Sequence, residues 1–389
     1  MMVFRPHLTG TRRFMRAVLS AVALGVSVLP VHAGTAAEPE RRLVIFDQDI
    51  DGLTGGNADP LTMLLHAGTV QVLGVTTVTG DGWMRQGTEY ALKLLEIQNR
   101  SSVPVFQGAE FPLVQSPGQL VRDTHLYGGV RTDPWLGAYA EHSPRSDEVV
   151  APPGGYAKTR PQPQPAAEFI VDAVRAHPHQ VTIYCGGPLT NLALAISLAP
   201  DIVPLVKEVV FMGTSPRQQP RTVNVLFDPE AAARVLHADW PRLTLFTVDL
   251  AEKIHRDIGM ARRIAGGANG PVAQIYRETV VVPHDRGDAM KWFRMPDELM
   301  AAYLVDPRII TSSRRYYVDV DLSPGMNRGA SVYWDVSPTA YGGAPWPDGH
   351  EPAGVEKAVP SPDARIAEVP EGFDSGRFQD LFTRLMTHS

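Results

Sequence analysis

Short apolar runs alternate along this chain with stretches of helical spacing. Residues 43–46 (LVIF), 70–78 (VQVLGVTTV), 103–106 (VPVF), 181–185 (VTIYC), 208–212 (EVVFM) and 243–248 (LTLFTV) are near-continuous apolar runs of strand length. Such runs belong to strands covered on both faces, as in parallel sheets. Between them, residues 59–66, 86–97, 165–176, 189–198 and 228–237 place apolar side chains at helical spacing, the last with Pro229 in its first turn. The repetition predicts an α/β fold in one domain, with a mostly parallel central sheet flanked by helices and right-handed crossovers. Further helices are expected at 257–265, 272–280, 296–304 and 375–386, a late strand at 315–322, and a tail wrapping the surface after Trp334. Residues 112–164, rich in Pro, Gly, Asp and His, break the rhythm and predict an insertion or lid-like loop.

The N-terminus departs from this pattern. Arg5, Arg12, Arg13 and Arg16 precede an apolar run at 17–29, and Val31-His32-Ala33 then precedes Gly34. That is the order of a secretory signal with an A-x-A-like cleavage site, so 1–33 is expected to be a leader and 34–42 a linker. The run is shorter than the roughly 20 apolar residues of a spanning helix, and the Arg12-Arg13 pair points to the twin-arginine route. A secreted or periplasmic location follows as the expectation. Cleavage removes four arginines and no acid, moving the formal charge from -6 to -10, which argues against nucleic acid or an anionic membrane as partner. Cys185 is the only cysteine, so no intrachain disulfide can form, and its apolar neighbours mark a buried strand thiol.

In open α/β sheets, ligands sit beyond the carboxyl ends of the strands. The polar residues there are Asp47, Asp49 and Asp51 after the first strand, with Asp59 opening the next helix; Asp81 with Trp83; the GGPLTN run at 186–191; and residues 212–224. Carboxylates crowded at one strand end repel unless a cation or shared protons neutralise them, and hard divalent cations favour oxygen ligands. A metal loop is therefore expected at 43–61, although Asp and Asn also populate turns for local backbone reasons.

Taken together these residues resemble the inosine-uridine preferring nucleoside hydrolases. The resemblance rests on the D-x-D of Asp47 and Asp49, TTVTGD at 76–81, GGPLTNLALA at 186–195, KEVVFMG at 207–213, NVLFDPEAA at 224–232, Asp297 in MPDELMAAYLVDP, and VDVDL followed by Arg328-Gly329. It covers about residues 43–335. It implies a nucleoside hydrolase-like, Rossmann-like domain over 43–389 that hydrolyses the N-glycosidic bond of a ribonucleoside or related N-riboside. It implies a calcium ion held by Asp49, Asp59, Asp297 and the backbone carbonyl of Gly186, with Asp49 taking the proton of the attacking water. Asn224 resembles the asparagine that bonds the ribose, and Met212 the methionine of its floor. Asp81 stands where the family more often has Asn, as a contact to sugar or base that leans towards purines, while Asp47 and Asn191 are read as supporting residues. The implied partner is a small-molecule nucleoside, with homo-oligomerisation left open.

Three positions depart from the family pattern. The family reads DxDxGxDDA, whereas the longer loop here ends Asn57-Ala58-Asp59, so one ribose-binding carboxylate is missing unless Asn57 or Asp51 takes its place. Thr222 replaces the Glu two residues before the ribose asparagine, removing a contact at the 5'-hydroxyl. Pro296 stands where a His precedes the late Asp, so an acid for the leaving base would have to come from His284, Arg286, Tyr276 or the insertion. A calcium-dependent riboside binder with impaired turnover is the alternative. A haloacid dehalogenase-type phosphatase, suggested by Asp49-Ile50-Asp51-Gly52, is the other; it leaves GPLTN, FMG and NVLFDPEAA unexplained. Expression of the full chain with export should yield a mature protein beginning near Gly34; an intact mass that retains the first 33 residues would refute the leader.

Overall fold

Side-chain alternation within single strands sets the architecture. The computed structural model describes residues 41–127, 143–216, 221–267, 270–288, 294–336 and 363–387. The expected leader, residues 34–40 of the linker and residues 128–142 of the insertion lie outside the described residues. Among the described residues nine strands, β1 (Arg42–Gln48), β2 (Val70–Thr77), β3 (Val105–Gln107), β4 (Val181–Cys185), β5 (Glu208–Thr214), β6 (Leu243–Thr247), β7 (Ile310–Val320), β8 (Ser331–Asp335) and β9 (Arg365–Phe373), form one sheet of order β3-β2-β1-β4-β5-β6-β9-β7-β8. All pairs from β3 through β9 are parallel, and β7 runs antiparallel to β9 and β8.

Thirteen α-helices are assigned among the described residues. They are α1 (Asp59–His66), α2 (Met84–Ile97), α3 (Pro117–Tyr127), α4 (Ala166–Ala176), α5 (Thr190–Leu198), α6 (Val223–Phe227), α7 (Pro229–Leu236), α8 (Val248–Ala251), α9 (Ile258–Ala265), α10 (Pro271–Tyr276), α11 (Val282–Asp285), α12 (Pro296–Val305) and α13 (Ser375–Thr387). Val44 and Phe46 of β1, Tyr184 of β4 and Val210 of β5 join a core with Leu61 of α1, Leu299 of α12 and Phe382 of α13. Ile45, Ile183 and Val209 face the other way and meet Ile170 of α4, Leu192 of α5 and Val235 of α7. Burial of both faces is the physical reason that the runs read as continuously apolar. The chain order reverses at β1, which has β2 on one side and β4 on the other, and the crevice beyond this switch point is where such sheets bind ligands.

The structure differs from the sequence expectations in three places. The insertion is not devoid of regular structure: α3 lies within it, and Leu120 joins Leu226 and Phe227 in a small separate core. Gln115 Nε2 and the Leu113 N–H also bond the Leu226 carbonyl (3.2 Å) and the Asp228 carboxylate (2.9 Å), fastening the insertion to the neighbourhood of α6. The tail enters the sheet, with β9 between β6 and β7, and its residues 337–362 lie outside the described residues. Pro370 obscured it, since proline inside a run counts against an interior strand; here it pairs with Ser313 beside a register irregularity. The helix expected at 272–280 is divided by a π-helical turn, Arg277–Val281, between α10 and α11. No described helix is long and apolar enough to cross a membrane.

Phe46 and Tyr184 stack across β1 and β4 with ring centroids 4.7 Å apart, directly below the switch point. Phe46→Ala should therefore cost about 3–5 kcal/mol in urea unfolding; a loss under about 1 kcal/mol would show that the stack does not anchor the sheet.

Candidate active site

Asp47 is the last acid within β1, with Thr76 of β2 and Cys185 of β4 beside it in register. Thr76 Oγ1 donates to Asp47 Oδ1 at 2.5 Å and Asn191 Nδ2 donates to the same oxygen at 2.7 Å. Asn191 also donates to the Thr77 carbonyl (3.1 Å) and accepts from the Ala109 N–H (2.7 Å), so one α5 side chain joins β1, β2 and the loop after β3. Burial raises the Asp47 carboxyl to about 6, against the opposing pull of those two hydrogen bonds. Asp47 and Asn191 thus form a hydrogen-bonded support under the crevice.

Beyond the strand end, Asp49 is buried and its Oδ2 accepts from the Asp81 N–H at 2.6 Å. The backbone comes close because glycine lines this pocket: a Cβ on Gly80 would lie 2.1 Å from Asp49 Oδ2. Asn57, from the longer loop, donates Nδ2 to the Asp49 carbonyl (3.1 Å) and to Asp81 Oδ2 (3.2 Å), so the substituted loop residue does reach the acids. Asp297, in the first turn of α12, is equally buried; its Oδ2 accepts from Gln48 Nε2 at 2.8 Å and its carbonyl accepts from the Tyr184 hydroxyl at 3.2 Å. Burial is the main cause that raises Asp49 well above the ordinary carboxylate range, followed by the charge of Asp81, with Asp297 and Asp51 adding to it. Asp297 is raised in the same way, by burial and then by Glu298, Asp81 and Asp51, while the Gln48 bond opposes.

The β4 and β5 ends complete the wall. A Cβ on Gly186 would overlap Gln48 Oε1, and one on Gly187 would lie 3.0 Å from Asp49 Cγ, so this turn can approach the acids only as Gly-Gly. The Gly186 carbonyl accepts from Asn224 Nδ2 (2.6 Å), which also donates to the Met212 carbonyl (2.9 Å). Thr222 precedes α6 and donates its hydroxyl to the Gly213 carbonyl. Trp83 is buried edge-on to Phe111, with centroids 6.0 Å apart.

Asp59 is placed differently from its expected role. Its carboxylate pairs with the buried Arg256 guanidinium and accepts from the Tyr276 hydroxyl at 2.5 Å. Burial raises its pKa while Arg256 opposes. A buried ionised carboxylate is costly without hydrogen bonds or a counter-charge, and here an arginine supplies the charge. Arg256 escaped sequence reasoning because a lone arginine in EKIHRD reads as a solvated surface residue, and only tertiary packing buries it. Tyr276, one candidate acid for the leaving group, is thereby committed to Asp59; His284 is half-buried and Arg286 exposed on the segment following the π-turn. Pro296 stands close to the position of Gly56 in the acidic loop.

Among the described residues no three His, Cys, Asp or Glu side chains form a ready metal cage. The donor chemistry nevertheless fits an oxygen-preferring cation. Asp49 and Asp297 are buried carboxylates with no ion-pair partner among the described residues, and Gln48, which bonds Asp297, keeps a buried Oε1 without a hydrogen bond. Asp49, Asp297 and the Gly186 carbonyl are the groups that would hold it.

The fold is that of the nucleoside hydrolases. A solved plant nucleoside hydrolase superposes with a TM-score of 0.65 at 18% identity, covering 90% of this chain and 99% of its own. A purine-preferring ribonucleoside hydrolase from Gardnerella vaginalis superposes with a TM-score of 0.63, also at 18% identity, over 89% and 98%. Residues 44–380 match the family described as inosine-uridine preferring nucleoside hydrolase, and this chain belongs to that family. The family enzyme of Leishmania major is 28% identical over 305 residues, covering 75% of this chain and 87% of its own length, and that of Crithidia fasciculata is 27% identical over 286 residues, covering 71% and 84%. The family binds a metal ion and acts on small-molecule nucleosides, so the chain is an N-ribosyl hydrolase, and the phosphatase alternative is set aside.

Removing the Asn191 side chain deprives the Ala109 N–H and the Thr77 carbonyl of this buried partner and leaves Asp47 to the Thr76 hydroxyl. Asn191→Ala should cost on the order of 3 kcal/mol in chemical denaturation, and a loss below about 0.5 kcal/mol would refute its supporting role.

Proposed function

We propose that this protein hydrolyses the N-glycosidic bond of a ribonucleoside with a calcium ion held by Asp49, Asp297 and the Gly186 carbonyl. The observation that carries the reading is the pair of buried acids, Asp49 and Asp297, at the switch point, with no ion-pair partner among the described residues. Held by these groups, calcium would supply positive charge that eases deprotonation of a water and favours ribose hydroxyl oxygens as further ligands. Asp49, buried at the strand end beside that cation, is the group that would take the water proton. Asn224 commits its amide group to two backbone carbonyls, leaving its side-chain oxygen to accept from a ribose hydroxyl. Met212, buried on β5, underlies the sugar.

Asn57 supports the positions of Asp49 and Asp81; the charge of the Asp81 carboxylate favours an oxocarbenium-like sugar, and a purine base follows only from the resemblance at this position. Thr222 spends its hydroxyl proton on Gly213, so 5'-hydroxyl recognition differs from that of a glutamate. A calcium-dependent riboside binder is the second reading, favoured by the commitment of Tyr276 to Asp59 and by Pro296 at the position where the family has a proton donor. Export to the periplasm or exterior belongs to the same proposal, because the N-terminal pattern is that of a cleaved signal.

A panel of purine and pyrimidine nucleosides incubated with protein and calcium should yield free base and reducing sugar from at least one member. Chelation should stop the reaction, and Asp49→Ala should slow it by roughly 10²–10⁴-fold. Retained calcium binding with no base released from any nucleoside would overturn the hydrolase in favour of the binder.

A further inference from the structure

Arg256 is 1% exposed and lies between helices that flank the acidic crevice. Its guanidinium pairs with Asp59, the first residue of α1, and with Glu298 Oε1 at 2.7 Å, the residue after Asp297 on α12. Tyr276 of α10 donates to the same Asp59 oxygen, and the guanidinium carbon lies 5.6 Å from the Tyr276 ring centroid and 6.0 Å from that of Phe382 on α13. Two aromatic rings and two carboxylates therefore enclose one fixed positive charge.

We propose that Arg256 is a built-in counter-cation that removes Asp59 from the ligand set of the metal site, leaving the cation to Asp49, Asp297 and the Gly186 carbonyl. This rests on the reading of Asp49 and Asp297 as cation ligands. Arginine does not lose its proton in proteins, so the pairing persists across working pH. For Asp59 to turn to a metal ion, the guanidinium would have to be left buried with one acid fewer, which is costly. Calcium affinity falls with each carboxylate withdrawn from the ligand count, so the arginine acts as a positioning residue that weakens the site. Removing its charge frees Asp59 and leaves Glu298 uncompensated close by, and both changes attract a cation.

Calcium titration by calorimetry on the mature chain tests this. Arg256→Met should bind about tenfold or more tighter than wild type, and Arg256→Lys, which keeps the charge, should stay near wild type. Asp59→Asn should change affinity by less than about tenfold, whereas Asp49→Asn should lower it by on the order of 100-fold or more. Binding by folded Arg256→Met that is unchanged or weaker overturns the proposal, and so does a loss in Asp59→Asn as large as that in Asp49→Asn. Should Arg256→Met fail to fold, the Asp59→Asn comparison decides alone. Binding by Arg256→Met but not by wild type would support the role of Arg256 while removing Asp49 and Asp297 as a working site by themselves; no binding by either overturns both.

Discussion

Taking several carboxylates out of water at one end of a sheet is the constraint on which this structure depends. Asp47, Asp49, Asp59, Asp297 and Glu298 are all buried, and an ionised carboxylate in a low-dielectric interior must find hydrogen bonds, a counter-charge or a proton. The protein uses different solutions for neighbouring acids. Asp47 is held by Thr76 and Asn191, while Asp59 and Glu298 share Arg256. Among the described residues, Asp49 and Asp297 receive neutral donors, the Asp81 N–H and the Gln48 amide. Those two acids gather, with Asp81 beside Asp49, at the topological switch point where ligands of such sheets bind.

The surrounding backbone follows from that gathering. Gly80, Gly186 and Gly187 permit main chain to pass within contact of Asp49 and Gln48, where a Cβ would collide. Asn57 compensates in part for the longer acidic loop by bonding both the Asp49 carbonyl and the Asp81 carboxylate. Thr54 of the same loop meets Thr279 of the π-turn at 3.1 Å, which links this loop to the α10–α11 segment. π-turns of this kind occur often at functional sites. The insertion is likewise tied to the site's scaffold, through the Leu113 N–H on Asp228 and through Leu120 against Leu226 and Phe227.

Much of the fold could be read from the chain because parallel strands and their crossover helices have strong, local patterns. The runs at 43–46, 181–185 and 208–212 correspond to β1, β4 and β5, and the helix at 59–66 is α1 with the bounds expected. Elements with weak local signals were lost. Pro370 disguised β9, the composition of the insertion disguised α3, and the π-turn splits a segment whose apolar spacing reads as one helix. The candidate residues were legible as types at strand ends, since Asp49, Asp81, Gly186, Asn224 and Asp297 all follow strands or open helices. Their pairings were not, because a hydrogen bond between residues 249 positions apart, as between Gln48 and Asp297, has no local signature.

The sequence by itself determined the strand and helix grammar, the acidic loop at the end of β1, and the family resemblance. These properties are carried by neighbouring residues. Tertiary structure alone decided how each acid is neutralised. Arg256 lies 197 residues from Asp59 and 42 from Glu298 along the chain, and nothing in EKIHRD marks it as buried. Burial converts that arginine from a solvated charge into the partner that separates Asp59 from Asp49 and Asp297, because a buried charge must be met by whatever opposite charge the fold brings beside it.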